Sequence, residues 1–433
     1  MSLAAHIAMI RFGFGPRPGE TPPADPVAWL EAQLGPEAPL PPGPSSADAL
    51  RARAADLAER NRNGGIPPRQ GQAIAIARAE TLAWAERRLT AEQPFRERLV
   101  DFWMNHFTVS RRAGFVSAVA GAYEREAIRP HVTGRFADML LAVARHPAML
   151  FYLNNAGSVG PDSPVGRRIG RGLNENLARE ILELHTLSPA GGYTQQDVQA
   201  FARILTGWSV AQLREPFGYI FRPNAHEPGP KHLLGREFGA GEAAGEAALR
   251  FLATHPATAR HLATRLVRHF VADQPPPEAV RAVERTLLDT EGDLSAAART
   301  LIRLPQAWEP PLTKFRSPSD YVLAACRALG LPPERANLVL TGLAALGQPL
   351  WTAPQPNGWP DTAADWATPE ALMRRLDWAY TLAGRFGQAE PREVAEVALG
   401  PLARAETVTA VSRAGSVRDA ITLVLASPEF MYR

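Results

Sequence analysis

The sequence predicts an all-α protein: a multi-helix, orthogonal or bundle-like single unit with Pro-rich loops and at most one small β-hairpin. Three observations carry this. Apolar residues recur at spacings of three and four through most of the chain. Strand signal is nearly absent. Helix starts are well marked by proline in the first turn and by Ser, Thr or Asp before it.

In chain order, the periodicity predicts helices over 47–61, 70–89, 94–110, 116–128 and 134–145. Further helices follow over 174–187, 195–208, 242–254, 257–272 and 277–288. The set ends with 294–304, 319–329, 333–346, 369–384, 391–399 and 417–425. Thr194 with Asp197 forms a capping-box pattern, and Ser117, Ser319 and Thr368 stand at N-cap positions. One aromatic, β-rich run, Phe217–Phe221, is followed by a Pro/Gly turn and His232–Leu234, which would close the single hairpin. Pro-rich loops are expected at 35–46, 66–70, 274–277, 309–318 and 348–360. Residues 1–433 read as one helical unit, divisible into a motif-bearing lobe (1–234) and a C-terminal helical lobe (246–433) at the Gly/Ala-rich stretch between them.

Composition excludes several function classes. A chain of 433 residues that is 45% hydrophobic can bury a core without staples. Its one cysteine, Cys326, forms neither an internal disulfide nor a cysteine zinc site, and its apolar surroundings suit a small core residue. A net charge of +3 with interspersed signs shows no basic stripe, so nucleic acid is not the expected partner. No run of 18 apolar residues is present, so no transmembrane segment is expected. The start has no basic region ahead of its short apolar stretch and no convincing cleavage site. The chain as written is therefore expected in the cytoplasm, with export beside a partner as the other route. All but two of the 47 basic residues are arginine. Lys231 and Lys314 are thus candidates for positions where a compact, titratable ammonium matters.

Five patches hold chemistry-bearing side chains. In Phe102–Thr108, His106 follows Phe102 by four and Trp103 by three, so it projects from an aromatic, buried face. In Asn174–Thr186, Leu177, Ile181 and Leu184 make an apolar stripe with Glu180 at one edge and His185 at the other. Glu183 lies one turn beyond Glu180. This spacing does not match H-E-x-x-H or the E-x-x-H of di-iron bundles. The loop Asn224–Lys231 brings His226, Glu227 and Lys231 within six residues, where loop side chains often carry function. In the turn Gly191–Asp197, Tyr193 could line a pocket. In Thr313–Asp320, Lys314 and Arg316 precede a helix start, and a solvated loop is the expectation there. Trp351, Trp359, Trp366 and Trp378 are expected as core and loop anchors. No G-x-G-x-x-G, P-loop or G-x-S-x-G pattern stands in a fitting context.

The chain resembles the bacterial family catalogued as domain of unknown function 1800. The resemblance rests on Arg11–Pro16, Phe102–Ser110, Ile128–His131, Pro147–Leu153, Asn174–Thr186 and Gly191–Trp208. It continues through His226–Gly235, Pro356–Pro360 and Ser427–Phe430. The family pattern carries histidine-aspartate where this chain has His226-Glu227, which lengthens the carboxylate. The resemblance implies a mostly helical unit, and a gene neighbourhood with a co-encoded protein of the domain of unknown function 1501 family, similar to secreted phosphatase-like proteins. It fixes no reaction.

The leading reading is a metal-dependent enzyme, redox or hydrolytic. A transition metal (Fe, Cu, Zn or Mn) would be held by His106, His185 and His226, with Glu180, Glu183, Lys231 and Tyr193 as catalytic candidates. The alternative is a non-catalytic binding or export partner of the co-encoded protein. A metal-free hydrolase or lyase using Lys231 and Glu180 is the third.

Overall fold

The computed structural model describes residues 1–37, 42–65, 71–170 and 172–433; the loop expected at 66–70, and part of that at 35–46, lie outside them. Helices dominate the described chain, as the periodicity predicts. Proline occupies the first turn of Pro94–His106, Pro256–Phe270, Pro318–Ala328 and Pro369–Ala383, where its missing N–H would have no intrahelical partner. The capping box at Thr194 and Asp197 forms, and Thr368 caps its helix through the Ala371 N–H. Two caps differ. Ser317, not Ser319, accepts from the Asp320 N–H, and Ser117 caps nothing because its helix starts only at Ala120.

Among the described residues, three helical stretches widen into π turns: Ala8–Phe12, Glu124–Ile128 and Ile181–His185. Such turns recur near functional sites because they re-aim the side chains that follow. The helix expected over 174–187 is therefore an α segment, Asn176–Glu180, running into a π turn.

Among the described residues, two antiparallel hairpins form rather than one. Trp208–Ala211 pairs with Gly218–Phe221, and Lys231–Leu233 pairs with Arg236–Phe238. The run Phe217–Phe221 thus finds its partner upstream, not at His232–Leu234. The second hairpin turns on Leu234 and Gly235, both at positive φ (49° and 74°), as a two-residue turn matched to strand twist requires.

Most of the buried apolar side chains form one cluster running from Ala8 to Met431, with Cys326 inside it. Among the described residues, no helix is long and apolar enough to cross a membrane. The stretch Thr313–Asp320 corrects an expectation. It is not a solvated loop: Lys314 and Arg316 are 1% and 2% exposed. The cause is pairing distant in sequence. The Arg433 N–H donates to the Lys314 carbonyl (2.8 Å) and the Arg316 N–H to that of Met431 (2.9 Å), while Phe315 meets Tyr432 edge-on. This pulls both cations into the core.

Candidate functional site

His106 and His185 do converge. Their ring centroids lie 6.1 Å apart, and a third ring, His261, lies 6.0 Å from His106. The contacts explain why. The π turn ends with exposed carbonyls, and imidazoles cap two of them: His106 Nε2 donates to the His185 carbonyl (3.1 Å) and His261 Nε2 to that of Leu184 (3.0 Å). A carbonyl only accepts, so each Nε2 carries the proton and each Nδ1 holds a lone pair. Burial, the Arg265 charge and the neighbouring rings drive His106 well below the ordinary histidine value. Burial with His261 and Arg265 brings His185 to about 3, and burial leaves His261 at about 4. All three are neutral at pH 7.

His226 stands apart from this group. Its Nδ1 donates to the Thr206 carbonyl (2.8 Å) and its Nε2 accepts the Gly241 N–H (2.8 Å), so no lone pair remains for a ligand. Lys231 donates to the Glu227 carbonyl, and the Glu227 carboxylate accepts the Asp162 N–H (2.9 Å). His226 and Glu227 thus tie the loop to the surrounding chain, and Lys231 closes it on itself. Among the described residues, no group of three or more His, Cys, Asp or Glu side chains is arranged to hold a metal ion.

Glu180, Glu183 and Tyr193 gather at a half-buried patch. Burial and the charge of Glu183 raise the Glu180 carboxyl, with Arg179 opposing. Burial and Glu183 likewise raise the Tyr193 phenol. Lys231 has no recorded hydrogen bond or ion pair to these carboxylates among the described residues.

A different site has the geometry of a ligand pocket. A cavity of about 110 Å³ lies between the helices Pro94–His106 and Pro318–Ala328 and the loop 348–361. Phe14, Trp84, Met104, Leu343, Trp351 and Trp359 supply its apolar lining; Arg98, Asp101, His269, Asp320 and Asp361 supply the charged and titratable groups. The loop is fastened by Asn105, whose side chain accepts the Trp359 N–H (2.7 Å) and donates to its carbonyl (2.9 Å). Gly358, at φ 80°, permits that approach. A Cβ there would fall 2.4 Å from the Asn105 carbonyl oxygen.

On the cavity wall, His269 Nδ1 meets Asp361 Oδ2 at 3.0 Å, and Lys314 Nζ holds Oδ1 of the same carboxylate at 3.1 Å and Asp273 at 2.7 Å. Burial disfavours the Asp361 charge, but His269 and Lys314 outweigh it and hold the carboxyl below its usual range. An ionised carboxylate only accepts, so His269 Nδ1 carries the proton. Burial lowers the His269 pKa against the pull of Asp361, leaving the ring neutral at pH 7. Its Nε2 is then a lone pair, buried and without a hydrogen-bond partner.

The family described as Protein of unknown function (DUF1800) matches residues 7–432. The chain belongs to this family. No curated protein and no solved structure matches it. Several segments that carry the family resemblance frame the cavity: Arg11–Pro16 through Phe14, Phe102–Ser110 through Met104 and Asn105, and Pro356–Pro360 through Trp359. Sequence reasoning flagged Lys314 but missed its partners His269 and Asp361. One signal was available. His261, Arg265 and His269 recur at i, i+4 and i+8 on Pro256–Phe270, a titratable stripe along one face of a helix. That stripe runs from the histidine group at the π turn to the cavity wall, and the Arg265 charge acts on His106 at one end and on Asp361 at the other.

Proposed function

We propose that the protein is an enzyme that moves a proton on a small ligand bound in this cavity, with His269 as the proton acceptor. What supports the reading is one arrangement: a neutral imidazole fixed through Nδ1 to Asp361, with a buried and unpartnered Nε2, on the wall of a largely apolar pocket. A carboxylate-oriented histidine sets its own tautomer and presents its lone pair in one direction. Lys314 positions the carboxylate and stays outside the reaction. Because burial keeps the base deprotonated in mildly acidic solution, activity persists below the ordinary histidine pKa of about 6.5.

The test is an untargeted comparison of a metabolite extract incubated with the wild-type protein and with His269→Gln. The wild type should consume at least one small molecule that the variant leaves untouched, with activity level from pH 8 to pH 6. Identical extracts after both incubations would end this reading. Asp361→Asn separates positioning from catalysis. It should reduce the rate and shift the pH profile while still binding the ligand.

A further inference from the structure

The lining also speaks to what kind of molecule the cavity takes, a question that rests on the acid–base reading just given. The charged groups on its wall are already neutralised by the protein. Arg98 gives Nη1 to Asp320 (2.6 Å) and Nε to the Gly13 carbonyl (2.8 Å), and the other oxygen of Asp320 takes Arg433 Nε (3.0 Å). Asp101 accepts from Arg88 Nη2 (2.7 Å) and from the indole N–H of Trp84 (3.2 Å). Asp361 is held by His269 and Lys314.

The aromatic faces argue the same way. Two of the four rings already face a guanidinium: Arg88 lies 4.7 Å from the Trp84 ring centre and Arg98 lies 5.0 Å from that of Phe14. A ligand cation would meet guanidinium groups there. A ligand anion would find the guanidinium donors of Arg98 and Arg88 engaged with carboxylates and a carbonyl. Either charge would be desolvated without a counter-ion, the costliest burial there is. The volume, about 110 Å³, is of the order of the roughly 150 Å³ cavity known to hold a benzene ring. Of the titratable groups on the wall, His269 keeps one unpartnered atom, the Nε2 lone pair, which accepts a hydrogen bond and donates none; Ser319 and Gln348 add uncharged polar groups to the lining.

We infer that the cavity binds an uncharged molecule built on a single ring and bearing one hydroxyl or similarly weak X–H acid, which donates to His269 Nε2. Shape and one hydrogen bond select it; charge excludes its competitors.

Tryptophan fluorescence and calorimetry with a matched probe set test this: phenol, benzyl alcohol and toluene against benzoate and benzylammonium. The hydroxylated neutral probes should bind at least tenfold more tightly than either ion. His269→Gln should remove the advantage of benzyl alcohol over toluene. Leu350→Trp and Gln348→Trp, two substitutions at half-buried cavity positions, should abolish binding of all probes with helical circular dichroism unchanged. Binding of benzoate or benzylammonium as tight as that of the neutral probes would overturn the inference, and so would the absence of any binding. The two readings fail separately. Neutral-ring binding indifferent to His269→Gln would keep the ligand class and remove the proton acceptor. His269-dependent turnover of a charged metabolite would do the reverse.

Discussion

The chain's two lysines each sit in a trio of histidine, carboxylate and ammonium, and the two trios behave oppositely. In the loop 224–231, His226 has both ring nitrogens bonded, Glu227 accepts a backbone N–H and Lys231 donates to a backbone carbonyl. At the cavity, His269 is bonded on one nitrogen only, with Asp361 and Lys314 stacked behind it. Residue types are the same and chemistry is not. A histidine becomes reactive through what is left unbonded, and His226 leaves nothing.

The largest effect sharpens a contrast with the histidine group at the π turn. His185 and His261 are neutral in the fold, at about 3 and about 4, whereas in an unfolded chain they take up a proton near 6.5. The unfolded chain therefore binds more protons across that window. Stability is full above about pH 6.5 and falls as pH drops toward 4, by about 1.4 kcal/mol per pH unit for each ring, on the order of 5 kcal/mol together by about pH 4.5. Urea denaturation across pH should show at least this slope, and His185→Gln should remove one ring's share of it, about 1.4 kcal/mol per pH unit. A flat profile would mean that these rings are not held neutral.

Next in size is the contrast between the lysines. Lys314→Met strips two carboxylates of their shared cation and should cost about 3 kcal/mol, the penalty of breaking a buried ion pair. Lys231→Met removes a bond to one carbonyl and should cost about 1 kcal/mol. Equal shifts in denaturation midpoint would break the comparison between the trios.

The histidines reverse that order. His226→Leu leaves the Thr206 carbonyl and the Gly241 N–H without partners, at about 2 kcal/mol. His269→Leu should cost about 1 kcal/mol or less, since Asp361 keeps Lys314 and an unpartnered nitrogen is removed. Function should divide the other way, with the preference for benzyl alcohol over toluene lost only in His269→Leu.

How much of this could be read in one dimension follows from separation along the chain. The helices were legible because a 3.6-residue period reports burial within a single element. The neighbouring of Glu180 and Glu183 was legible for a related reason, one turn of one helix separating them, whereas Tyr193 stood in a separate turn and its approach to them was not read. His269 and Asp361 are 92 residues apart, and Lys314 reaches Asp361 across 47. No local spacing encodes such meetings. His226 misled for the opposite reason. A polar loop looks available for function until the backbone groups that engage it are known, and those come from Thr206 and Gly241. The stretch 313–320 looked solvated because its composition is polar, and its burial depends on pairing with residues 431–433.

The smallest expected effect concerns the acidic patch, where the structure keeps the local grouping that spacing suggested. Glu180 is half-buried and its carboxyl is raised first by burial and then by Glu183. Glu183→Gln removes the second cause and keeps the side chain's shape. Stability should change by no more than about 0.5 kcal/mol, as for most surface substitutions. The Glu180 carboxyl should move part of the way back toward its ordinary value in a carbon-13 titration. It should stop short, because burial remains. A full return would mean that Glu180 is open to water and that repulsion alone raised it. No movement would mean that the two carboxylates do not sense each other. In that case Tyr193 would owe its raised phenol to burial rather than to a shared acidic patch, and the cavity wall would be left as the better-coupled group of titratable side chains.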